Sequence, residues 1–174
     1  YGETSRRHRV EHAQVVHPLD FKTFVDEGAV ASMQPVHCTS DMGWAEQRIG
    51  AERLEGAYAW RTFADLGVAL AFGSDAPVED WNPLPGIYAA FTRQDRDGAP
   101  GGGWRPEQKL SWEEAVAGFT VGAAYAVHRE EDVGTLVPGK LCDLTVLDRD
   151  PRAAAPLWLE AQPTAVVVGG ERVR

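Results

Sequence analysis

The chain has 174 residues, of which 44% are hydrophobic, and a formal net charge of −9. This length fits one ordinary domain with enough apolar side chains for a core, and the acidic balance argues against a nucleic-acid-binding surface. No apolar run approaches the ~20 residues of a membrane span. The two cysteines, Cys38 and Cys142, have no CxxC spacing, so a reduced, cytoplasmic protein without a disulfide framework is expected.

The first part of the chain alternates short apolar strands with helical patterns. The predicted elements are, in order, a strand at 8–14, a helix at 17–28, a strand at 29–35, a loop, a helix at about 44–66 and a strand at 68–75. Pro18 suits the first turn of the first helix, and Gly28 and Gly67 follow the ends of the two helices. The repeated order of helix, glycine and apolar strand is typical of βαβ units and predicts a parallel sheet.

The strand at 68–75, with the sequence VALAFGSD, indicates a barrel rather than an open sheet. Small residues at 69, 71 and 73 alternate with bulky ones at 68, 70 and 72. One face of the strand therefore carries small side chains and the other carries bulky apolar ones. This division fits a barrel interior beneath a ring of helices. A complete barrel needs ~250 residues, and we therefore expect the chain to hold the last part of one.

From residue 94 onwards, the sequence predicts a loop, a helix and two strands that lack the earlier βαβ pattern. A loop rich in Gly and Pro occupies 94–108, and Ser111 with Glu114 then forms the capping box of a helix that runs to about 129. Two strands follow at 140–150 and 164–174, the second with a Gly-Gly turn. We therefore predict a partial barrel domain over 1–134 and a small β-element over 135–174.

His12 and Asp75 are the candidate metal ligands. Each stands near the carboxyl end of a predicted strand, and in a parallel barrel those ends share the face that carries active sites. A carboxylate at the mouth of a buried strand is costly unless a cation holds it, and imidazole with carboxylate is a zinc-type ligand pair. Singly, His12 is better explained by a hydrogen-bonded barrel histidine and Asp75 by a helix cap. The pair is more specific.

Four stretches, in order, resemble the C-terminal portion of the amidohydrolase superfamily, within the third amidohydrolase family that includes the N-substituted formamide deformylases. They are RRHRVEHAQ, SMQPVHCTSDMGWAEQRIG, LAFGSDAPVEDWNPLPGIYAAFTR and GTLVPGKLCDLTVLDRDP. The resemblance implies an α/β fold that is the C-terminal part of a metal-dependent TIM (β/α)8 barrel, its sixth to eighth strands with their helices, plus a β-sandwich segment. It also implies hydrolysis of carbon–nitrogen bonds outside peptides, in small amides or formamides.

The resemblance also assigns roles to single residues. His12 matches the metal-binding histidine of the sixth strand, and Asp75 matches the aspartate of the eighth, which binds metal and takes the proton of the attacking water. The cofactor it implies is a divalent metal, zinc by preference, in one or two copies, although this ligand pair also suits manganese or iron. His37 matches a QPxH stretch and is expected to bind substrate, or else to be a loop histidine bonded to backbone. Arg93 could clamp an anionic substrate group or pair with a carboxylate.

Three interpretations follow, of which we favour a fragment of a metal-dependent amidohydrolase. The others are a non-catalytic barrel remnant or assembly subunit, and a deaminase of the same superfamily. The HxH pair and the mid-barrel ligands that the family uses have no counterpart here, whereas catalytic zinc needs three protein ligands. We therefore expect this chain alone to be inactive, to bind metal weakly, and to associate with itself or with a complementary segment through open sheet edges.

Overall fold

The computed structural model describes residues 7–150, 152 and 157–174. Its strands are β1 (Arg9–Glu11), β2 (Val30–Met33), β3 (Leu70–Phe72), β4 (Leu144–Leu147), β5 (Pro163–Val168) and β6 (Glu171–Arg172). Its α-helices are α1 (Phe21–Asp26), α2 (Pro35–Asp41), α3 (Ala45–Ile49), α4 (Trp60–Asp65), α5 (Pro83–Thr92), α6 (Trp112–Phe119) and α7 (Val121–Ala126). Across the described ranges, no helix has the length and apolar character that crossing a membrane requires.

The first three strands form one parallel sheet in the order β1-β2-β3. In its register, Glu11 lies opposite Ser32, and Ser32 lies opposite Ala71. Helices stand between successive strands, so the carboxyl ends of all three strands meet along one edge. The predicted α/β class and parallel sheet are therefore confirmed. The assignment of these strands to the sixth to eighth positions of a barrel stays a prediction, as does association through the outer strands β1 and β3.

The two faces of β3 differ in the size of their side chains, as the alternation in its sequence predicts. Leu70 and Phe72 point into the main core, where the Phe72 ring packs edge-on against the ring of Trp60 in α4. Ala71 belongs to a smaller cluster on the opposite face, together with Ala126 at the end of α7. Helical residues therefore contact both faces, Trp60 of α4 on the side of Phe72 and Ala126 of α7 on the side of Ala71.

The prediction of a single helix at 44–66 is wrong. The chain there forms α3, a 3-10 turn at Ala51–Gly56 and α4. Gly50 ends α3 with φ 79° and ψ 154°, a conformation that side chains with a Cβ rarely adopt. Gly56 lies so close to Val16 that an added Cβ would be 1.6 Å from the Val16 carbonyl oxygen. The left-handed backbone at Gly50 and the tight packing at Gly56 therefore interrupt the helical pattern.

Two further helix boundaries differ from the sequence prediction. The predicted loop after β2 is instead α2, which starts at Pro35, a residue whose fixed φ suits the first helical position. The predicted helix after Ser111 is divided into α6 and α7 at Thr120, whose φ of −120° and ψ of −92° leave the helical region. The capping box at its start is confirmed, because the Ser111 hydroxyl accepts from the Glu114 amide and the Glu114 carboxylate accepts from the Ser111 amide.

The end of the chain forms a second, antiparallel sheet in the order β4-β5-β6. Both predicted strands are present, and the second one is a hairpin in which β5 and β6 are joined at Gly169 and Gly170. These glycines have φ of 59° and 85°, so the turn uses left-handed backbone. Whether this sheet belongs to a β-sandwich, and whether a domain boundary lies at 134/135, stay predictions.

Two arginines join the start of β1 to the end of α7. Arg7 Nη1 donates to the carbonyl oxygen of Tyr125 at 2.8 Å, and Arg9 Nη1 donates to that of Ala126 at 2.9 Å. The Arg7 guanidinium also lies 3.8 Å from the centre of the Tyr125 ring and forms an ion pair with Glu130. Cationic side chains therefore bind two of the last carbonyl groups of α7.

Candidate metal and substrate site

Three of the residues singled out in the sequence follow the three parallel strands. His12 comes directly after β1, His37 lies in the first turn of α2 after β2, and Asp75 lies three residues after β3. With strands about 4.8 Å apart, the ends of β1 and β3 are roughly 10 Å from each other. The topology therefore brings these three residues to the same edge of one sheet.

The backbone at both candidate ligands is left-handed. His12 has φ 69° and Asp75 has φ 57°, and Ala13 beside His12 has φ 37°. His and Asp tolerate this region better than most side chains, but it still costs on the order of 1–3 kcal/mol per residue, and such strain clusters at functional sites. Both candidate ligands are exposed to solvent. Each strand thus ends in a turn that presents a polar side chain to solvent.

The side chain of His12 is held by two neighbours from the β2–α2 connection. Its Nδ1 lies 2.8 Å from Oε1 of Gln34, the last residue before α2. Its ring stacks on the ring of His37, with 5.9 Å between the centroids and 20° between the planes. The orientation of the His12 ring is therefore fixed by residues from the adjacent strand and helix.

His37 is a half-buried helical residue and not a loop residue. Its backbone amide donates to the Gln34 carbonyl at 3.0 Å. Its Nε2 is buried and has no hydrogen-bond partner among the described residues. Because an unpaired buried polar atom costs free energy, each such atom needs an explanation. A ring nitrogen without a partner beside His12 is what a substrate-contacting histidine would offer.

Arg93 lies in the core, and its contacts are structural. It is fully buried at the end of α5, where Nε donates to the Trp104 carbonyl at 2.5 Å and Nη1 donates to the Tyr58 carbonyl at 2.9 Å. Its guanidinium carbon lies 4.3 Å from the Trp60 ring centre and 5.2 Å from that of Trp104. Burial lowers the pKa of this guanidinium.

The expected pairing of Arg93 with a carboxylate is wrong, because Nε and Nη1 donate to backbone carbonyls and Nη2 has no hydrogen-bond partner among the described residues. Arg93 forms no ion pair within the described part of the chain. Its predicted contact with substrate stays a prediction. The guanidinium instead fixes the end of α5 and the backbone at Tyr58 and Trp104.

A buried polar network close to the histidines has no distinctive signal in the sequence. Gln14 Nε2 donates to Asp41 Oδ2 at 2.8 Å and to the Tyr58 hydroxyl at 2.6 Å, and that hydroxyl donates to Asp41. Burial, followed by the contact with Asp41, raises the pKa of the Tyr58 phenol, which therefore stays protonated. Gln14 is two residues beyond His12, and Asp41 ends the helix of His37. The network thus joins the two segments that carry the histidines.

A polar pocket of about 320 Å³ opens between α2 and the segments that follow β3 and α5. Its walls include Thr39, Ser40, Glu79, Tyr88 and Asp95. Ser40 Oγ donates to Glu79 Oε1 at 2.7 Å, which ties α2 to the loop beyond Asp75. The pocket has room for a small polar molecule.

The donors of this edge fit part of a metal centre. His12 and Asp75 supply the nitrogen and oxygen donors that zinc accepts, and catalytic zinc sites use three protein ligands. Within residues 7–150, 152 and 157–174, no group of three His, Cys, Asp or Glu side chains could hold a metal ion. The described residues therefore supply an incomplete coordination shell.

The chain is similar in sequence to three known proteins. The chain is 33% identical over 99% of its length to Protein LONG AFTER FAR-RED 3 of Arabidopsis thaliana, and 32% identical over 90% to the putative amidohydrolase YtcJ of Bacillus subtilis (strain 168). It spans only 29% and 30% of those two relatives. Over 91 residues it is 33% identical to the N-substituted formamide deformylase of Arthrobacter pascens, covering 52% of this chain and 16% of that enzyme.

Solved structures agree with this relationship. An uncharacterized metal-dependent hydrolase from Pyrococcus horikoshii matches 84% of this chain and 29% of its own with a TM-score of 0.74 at 28% identity. A second one, from Pyrococcus furiosus, matches 76% of this chain and 26% of its own with a TM-score of 0.64 at 30% identity. The sequence model of the amidohydrolase family matches residues 1–174. The resemblance seen in the sequence is thereby confirmed, and the chain belongs to the amidohydrolase family.

Proposed function

We propose that the whole protein is a metal-dependent hydrolase of carbon–nitrogen bonds outside peptides, and that this chain supplies one end of its active site. The observation that carries the proposal is the placement of His12 and Asp75. Both follow parallel strands of one sheet at one edge, and both have left-handed backbone. The family and the two metal-dependent Pyrococcus relatives support this assignment.

In this proposal, His12 and Asp75 are the metal ligands of this chain. An imidazole and a carboxylate suit zinc, and also manganese or iron. A divalent ion held there acts as a Lewis acid and lowers the pKa of a water molecule. The remaining ligands, and a second ion where one is used, would belong to other segments of the whole protein.

Asp75 is also the catalytic residue. Its exposed carboxylate accepts the proton of the attacking water and passes it to the leaving nitrogen, which is the work of a general base followed by a general acid. His37 binds the substrate, because its buried Nε2 has no partner in the described part of the chain. As an N–H group it would donate to the carbonyl oxygen of an amide.

Small neutral amides are the substrates to examine first. The pocket between α2 and the segments after β3 and α5 contains the carboxylates of Glu79, Asp95 and Asp97 with the single guanidinium of Arg96, a net negative lining that disfavours an anionic substrate. N-substituted formamides are the first choice, because the Arthrobacter relative is a deformylase of such compounds.

Asp75→Asn in the metal-loaded whole protein tests the proposal. An amide side chain cannot accept the proton, so turnover of a formamide or amide should fall by about 10²–10⁴-fold. The matched control is Asp26→Asn, since Asp26 lies at the end of α1 in an exposed ion pair with Lys22 and should not affect turnover.

The product measured separates the alternatives. Release of formate or another carboxylate supports the proposal, whereas release of ammonia from a ring amine would support a deaminase. Full activity in Asp75→Asn would remove this residue from the mechanism. A metal-loaded protein that turns over neither substrate class would favour the non-catalytic interpretation.

A further inference from the structure

Gln34 does not suit its position by the rules of helix capping. It is the N-cap of α2, directly before Pro35. Helices prefer Ser, Thr, Asp or Asn there, because these short side chains accept a hydrogen bond from the first turn. The Gln34 side chain forms no capping bond. A residue that breaks a local preference without local benefit is a candidate for a functional role.

The side chain of Gln34 contacts His12 instead. Its Oε1 lies 2.8 Å from His12 Nδ1. The register of the sheet explains this contact, since Glu11 pairs with Ser32, and His12 and Gln34 follow these two residues by one and two positions. β2 is the central strand, paired on both sides. Gln34 therefore extends from the most firmly held strand of the sheet.

The chemistry of the contact determines which nitrogen of His12 carries a hydrogen. A carbonyl oxygen only accepts, so Nδ1 must donate. In the neutral imidazole, Nε2 then keeps its lone pair and is the atom that can bind a metal. The His37 ring, stacked 5.9 Å away, limits tilting of the His12 plane. Hydrogen bonds of this kind orient ligating histidines and raise metal affinity.

We propose that Gln34 is a positioning residue that holds His12 as the Nδ1–H tautomer and so directs Nε2 towards the metal. The inference rests on the proposed function and deepens it. Loss of such a partner costs about 10–100-fold in metal affinity in other metalloproteins. Gln34→Leu should therefore weaken metal binding to this extent, while Gln34→Glu, which keeps an acceptor oxygen, should retain most of it.

The first measurement is the tautomer itself. Long-range ¹H–¹⁵N spectra of the metal-free whole protein, with the His12 signals assigned by their loss in His12→Gln, distinguish Nδ1–H from Nε2–H. We expect Nδ1–H in the unmodified protein and a mixture of tautomers in Gln34→Leu. A dominant Nε2–H form in the unmodified protein would overturn the inference, whether or not Gln34→Leu folds.

The second measurement is zinc affinity, obtained by competition with a chromophoric chelator. Gln47→Leu is the matched control, because Gln47 is exposed on α3 and should leave the affinity unchanged. Equal affinity in Gln34→Leu and Gln47→Leu would contradict the inference. If His12→Ala and Asp75→Ala also bound zinc like the unmodified protein, the proposed function would fail as well. If His12→Ala and Asp75→Ala lost zinc but Gln34→Leu did not, the proposed function would hold and the role of Gln34 would be rejected.

Discussion

Replacing Gly56 by alanine tests how the segment after His12 is held. A Cβ at this position would lie 1.6 Å from the carbonyl oxygen of Val16 and 2.8 Å from its carbonyl carbon. Both are backbone atoms, so no side-chain rotation relieves the overlap. Ordinary contact begins near 3.4 Å, and the two segments must therefore move apart by more than an ångström.

The movement breaks the pairing between residues 14–16 and 56–58. The hydrogen bonds at risk are those from the Val16 amide to the Gly56 carbonyl, at 3.0 Å, and from the Tyr58 amide to the Gln14 carbonyl, at 2.8 Å. Each contributes about 1 kcal/mol net, and overpacking of a tight site adds about 1–3 kcal/mol of strain. We expect the free energy of unfolding to fall by about 3–5 kcal/mol, which is large for a single substitution.

Urea denaturation of Gly56→Ala measures this change, with Gly43→Ala as the matched control. An added Cβ at Gly43 meets nothing within 4 Å, and the φ of Gly43 is not positive. The free energy of unfolding of Gly43→Ala should therefore stay level or rise by about 0.4–1 kcal/mol. Because Gln14 follows His12 by two residues, Gly56→Ala should also weaken zinc binding. Equal stability of the two variants would refute the packing argument.

Two further predictions concern charged groups. Arg93→Met leaves the carbonyls of Trp104 and Tyr58 without their donor, so the free energy of unfolding should fall by about 2–5 kcal/mol. A raised KM with unchanged stability would instead support a contact between Arg93 and the substrate. The hydrogen bond from Arg7 lowers the pKa of Glu130 from 4.5 to about 2. The stabilisation of the folded protein by this ion pair is therefore present above pH 4.5 and is lost as the pH falls towards 2. Glu130→Gln should flatten the pH dependence of unfolding in this window, and an unchanged slope would contradict the role of the pair.

The strands were predictable because their signals are local. Each is a short apolar run bounded by glycine or polar residues, and the positions of β1, β2 and β3 agree with that pattern. The break in the helix predicted at 44–66 was not predictable from periodicity, because it depends on Val16, a residue far away in the chain. Two glycines inside one helical pattern, Gly50 and Gly56, were the signal that could have divided it.

The candidate site shows the same division between local and distant information. His12 and Asp75 were found from residue type and position after a strand. Gln34 and the Gln14 network were missed, because glutamine is common on protein surfaces. Their contacts form only when segments that are distant in the sequence come together in the fold. The burial of Arg93 was equally hidden, since an arginine is normally exposed.

The contacts of Arg7 and Arg9 with the end of α7 bear on the order in which the chain folds. Arg7 and Tyr125 are 118 positions apart, and closing a loop of that length costs about 4 kcal/mol of chain entropy. Two hydrogen bonds, a cation–π contact and a partly exposed ion pair offset only part of this cost. These contacts therefore cannot form ahead of the rest. They depend on β1 pairing with β2 and on α7 packing against β3, so we expect them to form late in folding and to be among the first to open.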